Sequence, residues 1–352
     1  MLDRKIKGRG SVTSPMNRFE KIEIEADSEY LEHIEGDLPK PKTEFWFDAT
    51  QNILSKNDSP DIPFTYGLNP YRGCEHGCVY CYARPTHEYF GLSAGLDFET
   101  KILVKKDAPK LLEQTLRKPS WKPHVIALSG NTDCYQPAER HFRITRNCLK
   151  VLLKYRNPVG IISKNALVAR DIDLLQKLAE LQLVHVVISI TTLDNRLSRI
   201  MEPRTAAPLN RLKTVRKLRE AGIPTAVNIA PIIPGLTDME IPAIAKAAAE
   251  AGAMTANCIV VRLPYSIKEM FQKWLETHMP DRADKVLNAI RSMRDGELNK
   301  KDFHERFIVK GPRGDVINSM MAQARKAYGL DKPMPKLRTD LFTRTPEQMQ
   351  LF

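Results

Sequence analysis

From about residue 100 onward, short apolar runs alternate with longer stretches in which apolar residues recur at helical spacing. The short runs are rich in β-branched residues and predict six strands: Lys101–Val104, Val125–Leu128, Val159–Ser163, Val184–Ile190, Thr225–Ala230 and Asn257–Val261. Strands separated by single helices imply right-handed βαβ units and a parallel sheet. We therefore expect an α/β fold, a parallel (βα)6-type partial barrel, with its active-site groups at the carboxyl ends of the strands.

The chain on either side of this region has a different pattern. Residues 1–43 predict a polar, flexible N-terminal extension, because Glu23–Asp37 contains seven acidic residues and no basic one. Residues 44–264 would form the barrel. Residues 265–352 predict a small C-terminal helical appendage with two further helical patterns, Asp281–Arg294 and Asp315–Tyr328. We expect Asp315 to cap the second of these helices.

The net charge of the chain is positive, with 54 Lys and Arg residues against 42 Asp and Glu residues, a balance of +12. Residues 1–43 carry eight basic and nine acidic residues, so the excess belongs to the predicted folded body. A basic body raises the expectation of a polyanionic partner such as nucleic acid. No apolar stretch reaches the roughly 18 residues of a membrane span, and the N-terminus has no apolar secretory core. We therefore expect a cytoplasmic protein without a membrane partner.

Three of the six cysteines occur within eight positions, in a segment punctuated by Gly and Pro. The spacing Cys-x3-Cys-x2-Cys allows one loop to place three thiolates around a soft metal centre, those of Cys74, Cys78 and Cys81. A structural zinc site needs four ligands, so His76 or His87 would have to supply the last one. A four-iron cluster on three thiolates would instead leave one iron open to substrate, which is a catalytic arrangement.

This motif, with Tyr80 before its last cysteine, resembles the cluster-binding motif of the radical S-adenosylmethionine (SAM) superfamily. Other stretches resemble its spore photoproduct lyase-like branch, which includes DNA repair photolyase-like proteins: Asn57–Pro63, Asn69–Cys74, Cys81–Glu88, Gly130–Glu139, Ser189–Asp194, Glu202–Arg204 and Pro231–Asp238. The resemblance implies a partial TIM barrel, a [4Fe–4S] cluster on the three cysteines, and SAM on the fourth iron. It also implies cleavage of SAM to a 5′-deoxyadenosyl radical, with an electron donor such as flavodoxin or ferredoxin.

The resemblance also implies roles for polar residues at successive strand ends. The cofactor-binding positions that it implies are Tyr80, Asn131, Thr132, Asp133, Lys164 and Ser189. Asn228 and Arg262 are further candidates because they end later strands. Lys164 matches a lysine that pairs with the SAM carboxylate, although each of these groups could alone be a satisfied polar residue at a strand end. Tyr80 and Tyr82 match tyrosines implicated in hydrogen-atom return to substrate. The cysteine hydrogen donor of the lyase aligns with Gly130, and Cys134 is either a displaced donor or a turn residue.

Basic residues concentrate in and after the loop that follows Ile190: Arg196, Arg199, Arg204, Arg211, Lys213, Arg216 and Lys217. On a barrel they would form a basic rim suited to phosphate contacts, whereas the last three also fit a solvated helix face. Cys148 and Cys258 are expected to pack in the core. The chain lacks the glycine-rich fingerprints of nucleotide hydrolysis and nicotinamide binding.

The leading hypothesis is a radical SAM enzyme that acts on a nucleic-acid base or lesion, in the manner of a lyase. The alternative within enzymes is radical modification of a peptide or small metabolite. From another class, the chain could be a zinc-stabilised nucleic-acid-binding protein without catalysis.

Overall fold

The computed structural model describes residues 7–19 and 41–345. The strands in these ranges are β1 (Glu44–Phe47), β2 (Leu54–Lys56), β3 (Tyr66–Leu68), β4 (Tyr71–Arg72), β5 (Lys101–Val104), β6 (Ile126–Leu128), β7 (Val159–Ser163), β8 (Val184–Ser189), β9 (Thr225–Ile232) and β10 (Ala256–Val260). The α-helices are α1 (Leu96–Thr100), α2 (Ala108–Arg117), α3 (Glu139–Phe142), α4 (Ile144–Tyr155), α5 (Ile172–Glu180), α6 (Asn195–Met201), α7 (Pro208–Glu220), α8 (Ile241–Glu250), α9 (Ile267–His278), α10 (Pro280–Ser292) and α11 (Gly311–Ala327). Three short 3₁₀ helices span Arg84–Phe90, Ala166–Asp171 and Asp238–Glu240. None of the described helices is both long enough and apolar enough to cross a membrane.

The main sheet contains seven strands in the order β10-β9-β8-β7-β6-β3-β2. The six strands from β10 to β3 run parallel, and β2 pairs antiparallel with β3 at one edge. Helices follow the parallel strands along the chain, as right-handed crossovers require. This arrangement confirms the predicted α/β fold with a parallel, partial barrel. Because the six strands share one direction, the loops at their carboxyl ends meet at one rim.

The first barrel strand differs from the prediction. Lys101–Val104 has the predicted bounds, but it forms the centre of a separate three-stranded sheet, β1-β5-β4. Its place in the main sheet belongs to Tyr66–Leu68, whose three residues include Gly67. Such a short strand carries too little apolar periodicity to be recognised, whereas the run at Lys101–Val104 carries a clear signal. The prediction of six parallel strands is therefore right in number, but one of the six strands is a different segment of the chain.

The C-terminal region extends the core of the barrel. Helix α11 buries Ile317 and Met321 in the same apolar cluster as the sheet. Beyond it, the backbone oxygen of Leu330 accepts a hydrogen bond from the Thr255 hydroxyl at 2.8 Å, next to β10. The predicted cap at Asp315 is wrong, because α11 begins four residues earlier and Asp315 lies exposed within it. Glycine and proline at the true start masked that turn of helix.

Part of the predicted flexible extension contacts the barrel. Within residues 7–19, Ser11 and Val12 are buried, and the Asn17 amide donates to the backbone oxygens of Glu88 at 2.8 Å and Leu92 at 3.3 Å. Polar composition suggested a solvated tail, but these bonds satisfy the polar groups of a docked arm. The acidic tract Glu23–Asp37 lies outside the described residues.

Candidate active site

The three-cysteine loop follows β3 and β4 at the carboxyl rim of the sheet. Cys74 and Cys78 are each 7% exposed, Cys81 is half-buried, and none of the three is in a disulfide. The loop turns at Gly77, whose φ of +65° and a Cβ contact of 2.7 Å to Glu99 Oε2 leave room only for glycine. The backbone N–H of Cys74 donates to Phe98 O at 2.8 Å, which ties the loop to α1.

The three thiols are close enough to influence one another. Burial raises the pKa of Cys74 well above its usual value, and Asp133, Cys78 and Cys81 raise it further. Burial also raises the pKa of Cys78. Buried thiols with a raised pKa lose their protons readily to a bound metal, because the positive charge of the metal compensates each buried thiolate.

Two histidines were candidates for a fourth zinc ligand; both ring nitrogens of His76 lie near other groups, whereas His87 has one bonded nitrogen and a buried Nδ1 without a partner. His76 Nε2 lies 3.0 Å from the Asn165 amide, and its Nδ1 lies 3.4 Å from Asp133 Oδ2. His87 Nε2 lies 2.9 Å from Lys101 O. Across residues 7–19 and 41–345, no three His, Cys, Asp or Glu side chains converge to bind a single metal ion. The three thiols, spread along one loop, fit an iron–sulfur cluster, in which each thiolate binds a different iron.

A buried ion pair holds the loop from below. The Arg84 guanidinium donates to Cys78 O at 2.9 Å and to Glu99 Oε1 at 2.5 Å, and both side chains are inaccessible to solvent. Glu99 also accepts the backbone N–H groups of Gly10 at 3.0 Å and Ser11 at 2.8 Å. The docked N-terminal arm is thus joined to the cysteine loop through one carboxylate. Neither the arm nor this pair was recognised in the sequence, because Arg84 and Glu99 are 15 residues apart and carry no periodic signal.

Gly10 is the closest approach between the arm and the loop. A Cβ atom there would lie 1.7 Å from the backbone oxygen of Gly77, a collision that backbone atoms cannot relieve without moving. We expect Gly10→Ala to displace the arm and to lower the iron retained after desalting of the reconstituted protein. Gly160→Ala is the matched control, since a Cβ there meets no atom within 4 Å. Equal iron retention in both variants would show that the arm does not support the loop.

Asp133 follows β6 and connects the cysteine loop to the end of β7. It accepts hydrogen bonds from the Ser163 hydroxyl at 2.8 Å and from the backbone N–H of Lys164 at 2.7 Å, at the end of β7. Of the two residues before Asp133, Thr132 donates its hydroxyl hydrogen bond to Tyr71 O at 2.7 Å, whereas Asn131 is exposed. Of the predicted segment, Asp133 organises the rim, and Asn131 has its side chain in solvent.

Lys164 lies in a network of charged and hydroxyl groups between β7, β8 and β9. Its Nζ donates to Ala230 O at 2.9 Å and lies 3.2 Å from Glu202 Oε1. Glu202 also accepts hydrogen bonds from the Tyr80 hydroxyl and the Arg211 guanidinium. Burial, followed by Arg211, lowers the pKa of Lys164 to about 8. The network contains two predicted residues, Lys164 and Tyr80, and two that sequence reasoning had not assigned to the cofactor, Glu202 and Arg211.

The remaining predicted cofactor residues occupy strand ends farther around the rim. Ser189 is buried, and it pairs in register with the half-buried Asn228. Tyr82 is half-exposed and its hydroxyl donates to Gly130 O. Arg262 stacks on Phe307 at 4.6 Å, and Tyr82 is near enough to raise the pKa of Arg262 against the larger lowering by burial. The structure thus brings Tyr82 and Arg262 together beside the loop.

Cys134 does not reach the rim. It is fully buried in the apolar cluster of the sheet, and its backbone oxygen accepts the Thr145 hydroxyl at 2.7 Å. The chain turns inward after Ser129, whose φ is +78° and whose hydroxyl accepts the Cys134 N–H at 2.7 Å. The predicted role as a hydrogen donor is not supported by this position. Cys148 is buried as expected, and Cys258 packs against the same cluster.

The predicted basic rim is smaller than the sequence suggested. Arg211 is 1% exposed and forms an ion pair with Glu202, so it is not a surface charge. Arg204 is half-buried and lies 3.0 Å from Glu75. The other members of the set are exposed, on α6 and α7: Arg196, Arg199, Lys213, Arg216 and Lys217.

A three-thiol loop at the carboxyl rim of a six-stranded parallel sheet defines a class of barrel enzymes, and comparison with solved structures agrees. Spore photoproduct lyase complexed with dinucleoside spore photoproduct superposes with a TM-score of 0.58, covering 81% of this chain and 79% of that one. The sequence identity is 15%, so this likeness concerns the fold alone. The family model of the radical SAM superfamily matches residues 68–248. The chain belongs to the radical SAM superfamily, as predicted.

Curated relatives extend this similarity without adding an activity. An uncharacterized protein of Mycobacterium bovis is 36% identical over 222 residues, which are 62% of this chain and 65% of that protein. An uncharacterized protein of Methanocaldococcus jannaschii is 33% identical over 175 residues, which are 50% of this chain and 63% of that protein. The matched region thus spans less than two thirds of each of these relatives.

Proposed function

We propose that this enzyme holds a [4Fe–4S] cluster on Cys74, Cys78 and Cys81 and uses it to cleave SAM reductively. The observation that carries the proposal is the loop itself: three buried or half-buried thiols, spaced Cys-x3-Cys-x2-Cys, with none in a disulfide. When bound, the cluster would supply the electron that splits SAM into methionine and a 5′-deoxyadenosyl radical. Superfamily membership supports the same chemistry.

The residues around the loop have three tasks in this proposal. Lys164 offers an ammonium group for the SAM carboxylate, and Glu202 and Arg211 fix its position as a buried charged network. Asp133 orients the β7 end through its bonds to Ser163 and Lys164. Charged groups already oriented before SAM binds cost little reorganisation when it does. The network should therefore bind a ligand whose amino-acid part is charged, as in SAM, better than a ligand in which that part is neutral.

Tyr82 and Arg262 lie near one another beside the loop and would be the residues that meet substrate once SAM is bound. An exposed tyrosine beside the third cysteine is suited to contact substrate or to donate a hydrogen atom. Free cysteines and an oxygen-sensitive cluster suit the reducing cytoplasm. An intracellular electron donor such as flavodoxin or ferredoxin would reduce the cluster there.

The substrate we propose is a nucleic-acid base or lesion, processed in a lyase-like reaction. The support is a net charge of +12, the exposed arginines of α6, and a fold shared with an enzyme whose structure contains a dinucleoside. Because phosphate contacts release counterions, oligonucleotide binding should weaken by about tenfold or more between roughly 50 and 200 mM salt. The oligonucleotide should also increase the 5′-deoxyadenosine formed per minute. Salt-insensitive binding or no increase would favour a peptide or small-metabolite substrate.

A further inference from the structure

A cavity of about 390 Å³ opens on the surface directly beside the cysteine loop. Its lining includes Arg9, Lys42, Glu75, His141 and Arg204. None of the side chains assigned to SAM lines it. A partner in this cavity would therefore leave the SAM side of the loop free.

Positive charge dominates the cavity. The Glu75 carboxylate is buried, and its Oε1 is held by Arg204 and by the Thr43 hydroxyl, each at 3.0 Å. The Arg9 guanidinium donates to Glu99 O at 2.7 Å and to Pro41 O at 2.9 Å, and the Glu99 and Glu75 carboxylates are near enough to offset part of its charge. Lys42 and His141 add exposed basic groups at the mouth. The surface is therefore complementary to an acidic partner.

An aromatic strand borders the cavity. Phe45 and Phe47 share one face of β1 and are 37% and 64% exposed, and Phe45 is part of the lining. The nearest acid on this strand is Glu44, whose carboxylate accepts the Trp46 indole N–H at 3.2 Å. Exposed aromatic and basic residues in one patch are typical of protein interfaces.

The floor of the cavity is adjacent to a cluster ligand. Glu75 follows Cys74 in the chain, and its backbone N–H donates to Gln136 Oε1 at 2.9 Å, which fixes the floor to the rim of the sheet. A redox group docked over Glu75 would therefore have a short covalent path to the Cys74 thiolate. Electron transfer needs such proximity and does not need a tight complex, which suits a small patch.

We propose that this cavity and the aromatic strand β1 together are the docking surface of an acidic one-electron carrier protein, a proposal that rests on the proposed function. One electron passes from the reduced carrier to the oxidised cluster. The carrier is thereby oxidised by one electron and the cluster reduced by one, and no bond forms or breaks. The exposed aromatic side chains beside the cavity favour a protein occupant over a phosphate backbone.

The test uses the full-length, anaerobically reconstituted protein and oxidised flavodoxin, an acidic carrier, with binding followed by flavin fluorescence. Lys42→Glu should raise the Kd for flavodoxin by about five- to tenfold at low salt, with a smaller effect at high salt. Lys213→Glu is the matched control, because it makes the same charge reversal on the exposed face of α7. Equal weakening of flavodoxin binding by both variants would overturn the proposal, because the net charge of the protein, and not the position of Lys42, would then determine the affinity.

A second measurement separates docking from catalysis. With dithionite as the reductant, Lys42→Glu should cleave SAM as fast as the unaltered protein, whereas with reduced flavodoxin it should be slower by the factor seen in binding. Failure of the dithionite reaction in the unaltered protein would refute the proposed function while leaving the binding result intact. Oligonucleotide binding that Lys42→Glu weakens, with flavodoxin binding unchanged, would overturn the docking proposal and assign the surface to nucleic acid.

Discussion

Cys78→Ala is expected to reduce the iron in reconstituted protein from about four atoms per chain to fewer than about one. The reason is that each thiolate would anchor one iron, so the variant would hold the cluster at two corners only. A cluster held at two corners dissociates on desalting. Iron and sulfide analysis with the visible absorption spectrum measures the effect. Cys74→Ala and Cys81→Ala should give the same result.

The control for this experiment is Cys258→Ala. Cys258 is half-buried against the sheet and lies in β10, away from the loop. The Cys258→Ala variant should retain the full iron content. The far-ultraviolet circular dichroism spectrum should be unchanged in all of these variants. Normal iron content in Cys78→Ala would contradict the assignment of the loop as the cluster site.

Arg211→Met should destabilise the protein by about 3–5 kcal/mol, because it leaves the Glu202 carboxylate buried without its cationic partner. Glu202 is 2% exposed and Arg211 1% exposed, so solvent cannot replace the lost contact. Lys164 remains 3.2 Å from the carboxylate and compensates only part of the charge. Urea unfolding of the iron-free protein gives the free energy of unfolding.

The double variant Arg211→Met with Glu202→Gln should recover most of this loss, because the neutral amide no longer needs a counter-charge. Lys213→Met, on an exposed position of the same helix, should change stability by less than about 0.5 kcal/mol. A loss of similar size in Lys213→Met would point to helix α7 itself, and not to the buried pair, as the cause.

The barrel could be predicted from the sequence largely because its strands are apolar on both faces. Val159–Ser163 and Val184–Ser189 are rich in β-branched residues, since helices cover one side and the barrel interior the other. Tyr66–Leu68 could not be recognised, because three residues with a central glycine show no periodicity. Lys101–Val104 shows that an apolar run predicts a strand without specifying the sheet to which it belongs.

For the candidate site, local motifs were informative and long-range charge pairs were not. The three cysteines are close in sequence, so their spacing alone indicates a shared centre. Glu99 and Arg211 look like ordinary surface charges, because burial of a charge depends on a partner that only the fold supplies. The role of Cys134 stayed open between a displaced donor and a turn residue, because the sequence does not show that a turn at Ser129 directs this residue into the core.

The most direct test of the central claim is the product of SAM in the reconstituted, reduced protein. Full-length protein is incubated anaerobically with SAM and dithionite, and the products are quantified by liquid chromatography and mass spectrometry. The account predicts 5′-deoxyadenosine and methionine in equal amounts, both absent from Cys78→Ala. Protein with a full complement of iron that forms no 5′-deoxyadenosine would contradict it.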